Sequence, residues 1–248
     1  MANFKTHITT SSVLGVGYGL GAYFFLDVSI QHSIVAAGLC GLAGMLPDLD
    51  SDTGVPVRET LCFLSVLVPM LMLRRFEALG MDAEHIVFAS ALIYAGLRFG
   101  VGAIFKKYTK HRGMWHSIPA AVMAALVTYV VCLSPEVGVR LLKSGAVFLG
   151  FMSHLVLDEI YSIDLQGNHL RIKKSFGTAL KFYGKSRWAN ISTYGKLAVL
   201  ILIVMSDSAF MNYFGRKPID LQVHGKTPGE WIGDLVPVTD DAKPPIWR

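Results

Sequence analysis

Seven apolar blocks follow one another along the chain, at 11–26, 33–46, 61–73, 86–105, 118–133, 141–157 and 197–210. So many blocks in succession leave too little polar surface to cover a soluble bundle. Hydrophobic residues make up 52% of the sequence and charged residues 17%, against about a quarter charged in an ordinary soluble domain. The expected fold is therefore all-α: a polytopic membrane bundle of about six to seven transmembrane or membrane-embedded helices. A spanning helix needs about 20 apolar residues, and only 86–105 meets that length unaided. The blocks at 61–73 and 197–210 are short enough to be re-entrant, interfacial or merely buried. The first block has a basic start at Lys5 but ends in Tyr23, Phe24, Phe25, Leu26 and Asp27, with no small-x-small cleavage pattern, so it reads as a retained helix. Cys40, Cys62 and Cys132 all lie inside apolar blocks without a C-x-x-C pair. That spacing excludes a disulfide framework and a thiolate zinc site.

Orientation follows from the loop cations. The side bearing the N-terminus carries Lys5, Arg58, Lys106, Lys107, Lys110 and Arg112, together with every Lys and Arg between 171 and 196. The opposite side carries Arg74, Arg75, Arg140 and Lys143. The first side is expected to face the cytoplasm. The chain then divides into a membrane-embedded part over 1–162, a cytoplasmic basic-aromatic loop over 163–196, a last membrane helix over 197–214, and an irregular, proline-bearing tail over 215–248. The loop mixes Lys and Arg with Phe176, Phe182, Tyr183 and Trp188. Rings at headgroup level and cations facing anionic lipid suit a membrane surface, so membrane lipid is the expected partner and nucleic acid is not.

Four polar clusters interrupt the blocks: His7 before the first, Asp48 and Asp50 after the second, His111 to Ser117 between the fourth and fifth, and His154 with Asp158 at the end of the sixth. Two crossings separate each from the next, so all four fall on the same face. Singly, each reads as a solvated loop or a hydrogen-bonded histidine. Together on one face they read as ligands. His154 and Asp158 are four apart and share one face of a helix. His7, Asp48, Asp50, His111, His116, His154 and Asp158 make seven candidate ligands, more than one ion needs and enough for two. Nitrogen and oxygen donors without thiolate fit Zn, Mn or Fe. Ser117, followed by Pro119, is expected to cap the helix that begins there. Arg98, alone inside the fourth block, requires a partner in the membrane and is a candidate clamp for phosphate or carboxylate.

These motifs together, namely His7, Asp48 with Asp50 after Pro47, His111-Arg112-Gly113-Met114-Trp115-His116-Ser117 and Ser153-His154 with Asp158, resemble the YdjM-like family of membrane-bound metal-dependent hydrolases of the inner membrane. The resemblance runs over about residues 1–162 in the same order. Trp115 stands where the family usually has threonine, and 159–162 lacks another usual threonine. The resemblance implies that the named histidines and aspartates form a metal site.

The expected activity is metal-assisted attack of water on an ester or phosphoester, including that of a lipid, at the cytoplasmic face. Asp48 or Asp50 is the expected base. Arg112 is expected to steady developing negative charge, with the helix end at Ser117 helping and Arg98, Arg112 and Ser117 contacting substrate. Two rival readings stand beside it: a transporter or ion-binding protein, and a non-catalytic scaffold with a structural metal site.

Overall fold

The computed structural model describes residues 3–50, 54–101, 113–166, 169–172 and 177–216. The described chain is helical apart from one short hairpin. Its elements are α1 (Phe4–Phe25), α2 (Ile30–Ala43), a 3-10 turn (Leu46–Asp50), α3 (Gly54–Ala78), α4 (Ala83–Ala95) running into a π-helical stretch (Gly96–Val101), α5 (Ile118–Val131), α6 (Val137–Ile160), β1 (Ile163–Gln166), β2 (His169–Ile172), α7 (Arg187–Ser206) and α8 (Ser208–Tyr213). The strands pair antiparallel, Ile163 opposite Ile172 and Gln166 opposite His169.

Over its described residues each apolar block is mostly helical, but the lengths redistribute. The block at 61–73 is the middle of the 25-residue α3, and 197–210 falls within α7 and α8. Conversely, 86–105 does not run through as one α-helix, because α4 gives way to the π-helical stretch after Ala95. Among the described residues, two helices are long and apolar enough to cross a membrane, α6 and α7. At 14 residues each, α2 and α5 reach about 21 Å, short of the roughly 30 Å hydrocarbon core. The described residues thus give a helical bundle with two full-length candidate spans, beside the six to seven transmembrane or membrane-embedded helices expected. The expected loop over 163–196 is also shorter than its assignment: α7 starts at Arg187, where the Ser186 hydroxyl accepts the Ala189 amide at 3.4 Å.

The centre is α1, α2 and α6, packed through small residues. Ser11, Gly15 and Gly19 recur every four residues on the buried face of α1. A side chain at Gly19 would meet the Ser33 carbonyl at 2.7 Å, and one at Gly15 the Ala37 carbonyl. Small residues let backbones approach this closely where apolar surroundings give helices no other reason to associate. The Ser11 hydroxyl donates to the Gly41 carbonyl at 2.8 Å, and Tyr18 Oη donates to Leu142 O at 3.0 Å. Helix α5 joins through Ala120, Ala121 and Met123 against Phe151 and Leu155. Helix α7 packs on α5, and α3 pairs with α4. The outer faces are apolar: Val13 and Phe24 on α1, Val87 and Phe88 on α4, and Ile191 and Val199 on α7 are all exposed.

Opposite the end where α6 finishes, Arg140 is buried and paired to Asp207 at 2.7 Å, with its guanidinium 3.9 Å above the Tyr129 ring. Arg140 Nε donates to Tyr129 O, and Arg75 Nη2 donates to Val130 O. Both cations thus sit on the last carbonyls of α5, where the helix dipole favours positive charge. Two of the four cations expected as free loop charges on that side are therefore structural.

Candidate metal centre

Four elements deliver polar side chains to one end of the bundle. The Asn3 side chain caps α1 by accepting the Thr6 amide at 2.8 Å, so His7 enters one turn later. It lies at the head of the buried row His7, Ser11, Gly15, Gly19 and Ala22, and the row that packs α1 thereby carries the imidazole inward. After α2 the chain tightens into the 3-10 turn that presents Asp48. A turn with the His116 amide donating to Gly113 O at 3.1 Å sets His116 just before α5. The last two turns of α6 supply His154 and Asp158 on one face, as the four-residue spacing requires.

The five side chains converge. His7 Nε2 lies 3.4 Å from Asp158 Oδ1, His116 Nε2 3.2 Å from Asp158 Oδ2, His154 Nε2 3.6 Å from Asp48 Oδ1 and 3.9 Å from Asp158 Oδ2. The His7 and His154 rings stack with centroids 3.6 Å apart, and the His116 ring stands edge-on to His154. Ligand atoms of His7, His154 and Asp158 all lie within 4.8 Å of one another. Donors about 2.1 Å from a tetrahedral ion stand about 3.4 Å apart, so these separations suit ligands around a cation.

The hydrogen bonding fits too. His154 Nδ1 lies 2.7 Å from the Gly44 carbonyl, which can only accept, so the proton is on Nδ1 and the Nε2 lone pair faces the cluster. His154 Nε2, His7 Nδ1 and His116 Nδ1 are buried without a hydrogen-bond partner. Buried polar atoms are rarely left so. A cation at the cluster would take one ring nitrogen from each histidine, and two carboxylates balance a divalent charge.

Over residues 1–211 the chain matches the YdjM inner membrane protein family. The chain belongs to that family. No curated protein and no solved structure matches it. The match extends past the 1–162 of the sequence resemblance, so the hairpin, the segment after it and α7 all belong to the YdjM-matching region.

The remaining expected residues of this YdjM member fall as follows. His111 and Arg112 lie outside the described residues, as does the side chain of Asp50. Ser117 occupies the N-cap position with extended backbone, but its hydroxyl does not cap; it is buried and donates to Met114 O at 2.5 Å. Nor does the start of α5 offer free amides. Ile118 N–H donates to Lys181 O, Pro119 has none, and the Ala120 and Ala121 amides return to Ser117 O. The expected anion-stabilising helix end is thus closed by the segment after the hairpin. Arg98 stands 5.7 Å from the centroid of the Phe99 ring in the π-helical stretch, and no described contact joins it to the histidines.

Two supports escaped the sequence reading. The Gly44 carbonyl orients His154, and Trp115 Nε1 donates to Leu46 O at 2.8 Å, tying the loop of His116 to the turn of Asp48. Gly44, the C-cap of α2, sits against Ser11 of α1.

Proposed function

We propose that this YdjM member is a metal-dependent hydrolase of an ester or phosphoester, a lipid among the candidates, working at the cytoplasmic face of the inner membrane. The observation that carries the reading is the buried convergence of His7, His154 and Asp158, with His154 Nε2 left open by the Gly44 bond. These three would hold a divalent cation, with His116 and Asp48 completing the set. When bound, that ion supplies Lewis-acid activation of water and of the scissile oxygen. Asp158 is fully enclosed and touched by His7 and His116, which suits holding and orienting. The Asp48 side chain keeps 22% of its exposure. It is the carboxylate of the pair that water and substrate can reach, and hence the better general base.

The alternative of a structural metal site draws on the near-complete burial of the three histidines. A transport path has less support. Between Ser144 and Ser153, helix α6 carries only apolar residues and glycine, so no polar route leads from the cluster along it.

The test is turnover of a panel of phospholipids and soluble phosphoesters by metal-loaded protein, with Asp48→Asn alongside. The reading predicts hydrolysis by the wild type and its loss in Asp48→Asn with metal retained. Loaded wild type that hydrolyses nothing on the panel would leave the structural-site alternative in its place.

A further inference from the structure

Between β2 and α7 the chain forms a strap, Gly177–Ser186, that lies over the metal-bearing end. It is fastened at four places. The Glu159 carboxylate accepts the Gly177 and Ala179 amides. Lys181 O receives the Ile118 amide. Gly184 and Asn190 exchange two hydrogen bonds, at 2.8 and 2.9 Å, and Tyr194 Oη donates to Phe182 O at 2.8 Å. Two of these anchors adjoin the candidate ligands directly: Glu159 follows Asp158, and Ile118 lies two residues beyond His116. Gly184 also presses on the His116 loop, since a side chain there would meet Met114 Sδ at 3.1 Å.

The strap holds two rings out, and the first turn of α7 adds a third. Phe182 is 56% exposed, Tyr183 72% and Trp188 78%. They cluster where α7 begins, a helix long and apolar enough to cross a membrane. Rings at the end of such a helix sit at headgroup depth. Residues 177–196 contain Lys181, Lys185, Arg187 and Lys196 and no Asp or Glu; Lys185, Arg187 and Lys196 are exposed. The Glu159 carboxylate is turned to the strap's own amides.

We propose that this rim is a docking surface for anionic phospholipid headgroups and that it hands such lipids to the metal centre beside it; the second half rests on the hydrolase reading above, the first does not. Exposed rings at a water–apolar boundary and the exposed cations Lys185, Arg187 and Lys196 complement an acidic headgroup layer. A polynucleotide would find the same charges, but it could not follow the rings toward the apolar surface of α7.

The experiment places a fluorophore at Gly195→Cys in a Cys62→Ser background, because a side chain at Gly195 meets nothing within 4 Å and Cys62 is the exposed cysteine. The protein is reconstituted in phosphatidylcholine vesicles, and quenching is compared between spin-labelled phosphatidylglycerol and spin-labelled phosphatidylcholine. Phosphatidylglycerol should quench preferentially. Lys185→Gln with Arg187→Gln should cut the preference by about fivefold per charge removed, while Lys143→Gln, on α6 near its start, leaves it unchanged. Equal quenching by the two lipids in the wild type overturns the docking surface, as does an oligonucleotide that abolishes the preference when added outside the vesicles. Lipid turnover is read on the same samples. A preserved preference with no lipid hydrolysed upholds the docking surface and removes the hydrolase reading with its hand-over.

Discussion

Replacing Gly150 by alanine should weaken the metal centre from one turn away. Gly150 lies four residues before His154 on α6, and Cys40 lies four residues before Gly44 at the end of α2. The contact of Gly150 with Cys40 and the bond of His154 to Gly44 are therefore adjacent rungs of one interface. A methyl at 150 would overlap the Cys40 carbonyl oxygen and stand 2.9 Å from its carbon and 3.0 Å from Ala43 Cβ. Carbon atoms rest about 3.5–4.0 Å apart, so the helices must part by about 1 Å. The 2.7 Å His154–Gly44 bond would then stretch beyond the roughly 3.2 Å limit for N–H···O. Loss of such an orienting partner lowers metal affinity about 10–100-fold. Overpacking costs about 1–3 kcal/mol, offset by up to about 1 kcal/mol of helix propensity gained over glycine, so the stability loss is modest while the affinity loss is large. Chelator-competition titration in detergent reads the affinity, and thermal unfolding reads the stability. Gly138→Ala on the same helix, where a side chain meets nothing within 4 Å, should leave affinity unchanged. Wild-type affinity in Gly150→Ala would refute the coupling of helix spacing to the site.

Three further outcomes follow from the packing. Arg140→Gln removes one partner of a largely buried ion pair; a fully buried pair costs about 3–5 kcal/mol to break, and because Asp207 keeps 24% exposure the expected loss is about 2–3 kcal/mol. A denaturation shift below about 1 kcal/mol would count against the clamp. Trp115→Phe should cost about 1 kcal/mol through the lost bond to Leu46 O with metal content retained, and metal loss there would promote Trp115 from tie to site residue. The Asp82 carboxylate, which accepts the His85 amide and faces its ring, is held below the usual carboxylate range. Its capping of α4 is thus complete above about pH 4 and disappears as pH falls through the lowered value. The protection factor of the His85 amide should fall only in that acid range, and in Asp82→Ala it should be low throughout; equal protection in both would contradict the cap.

Much of the site was legible because its ligands are chemically conspicuous and helical spacing is simple. His154 and Asp158 follow from a four-residue period, and the parity of apolar blocks brings His7, Asp48 and His116 to the same end, where the structure joins them. What sequence could not supply was the backbone's share. The Gly44 carbonyl has no side chain to announce it, and the Ser117 hydroxyl turns back to Met114 O, Pro119 having no N–H to cap and the Ala120 amide returning to Ser117 O. Contacts of the first kind join segments more than sixty residues apart and leave no periodic trace. Helix lengths were misjudged for a related reason. The polar first turns of α3 and α7 hide helix that apolar counting stops short of, while the π-helical stretch at Gly96–Val101 interrupts a block that composition alone presents as continuous.

The central claim is that His7, His154 and Asp158 hold a divalent ion. Elemental analysis of protein purified in mild detergent, after loading with Zn, Mn or Fe and removal of excess, tests it without reference to any substrate. The account predicts one or two equivalents in the wild type and a clear loss in His7→Ala, His154→Ala and Asp158→Asn, each still inserted in the membrane. Wild-type protein that retains none of the three metals, or three variants that bind as much as the wild type, would contradict it.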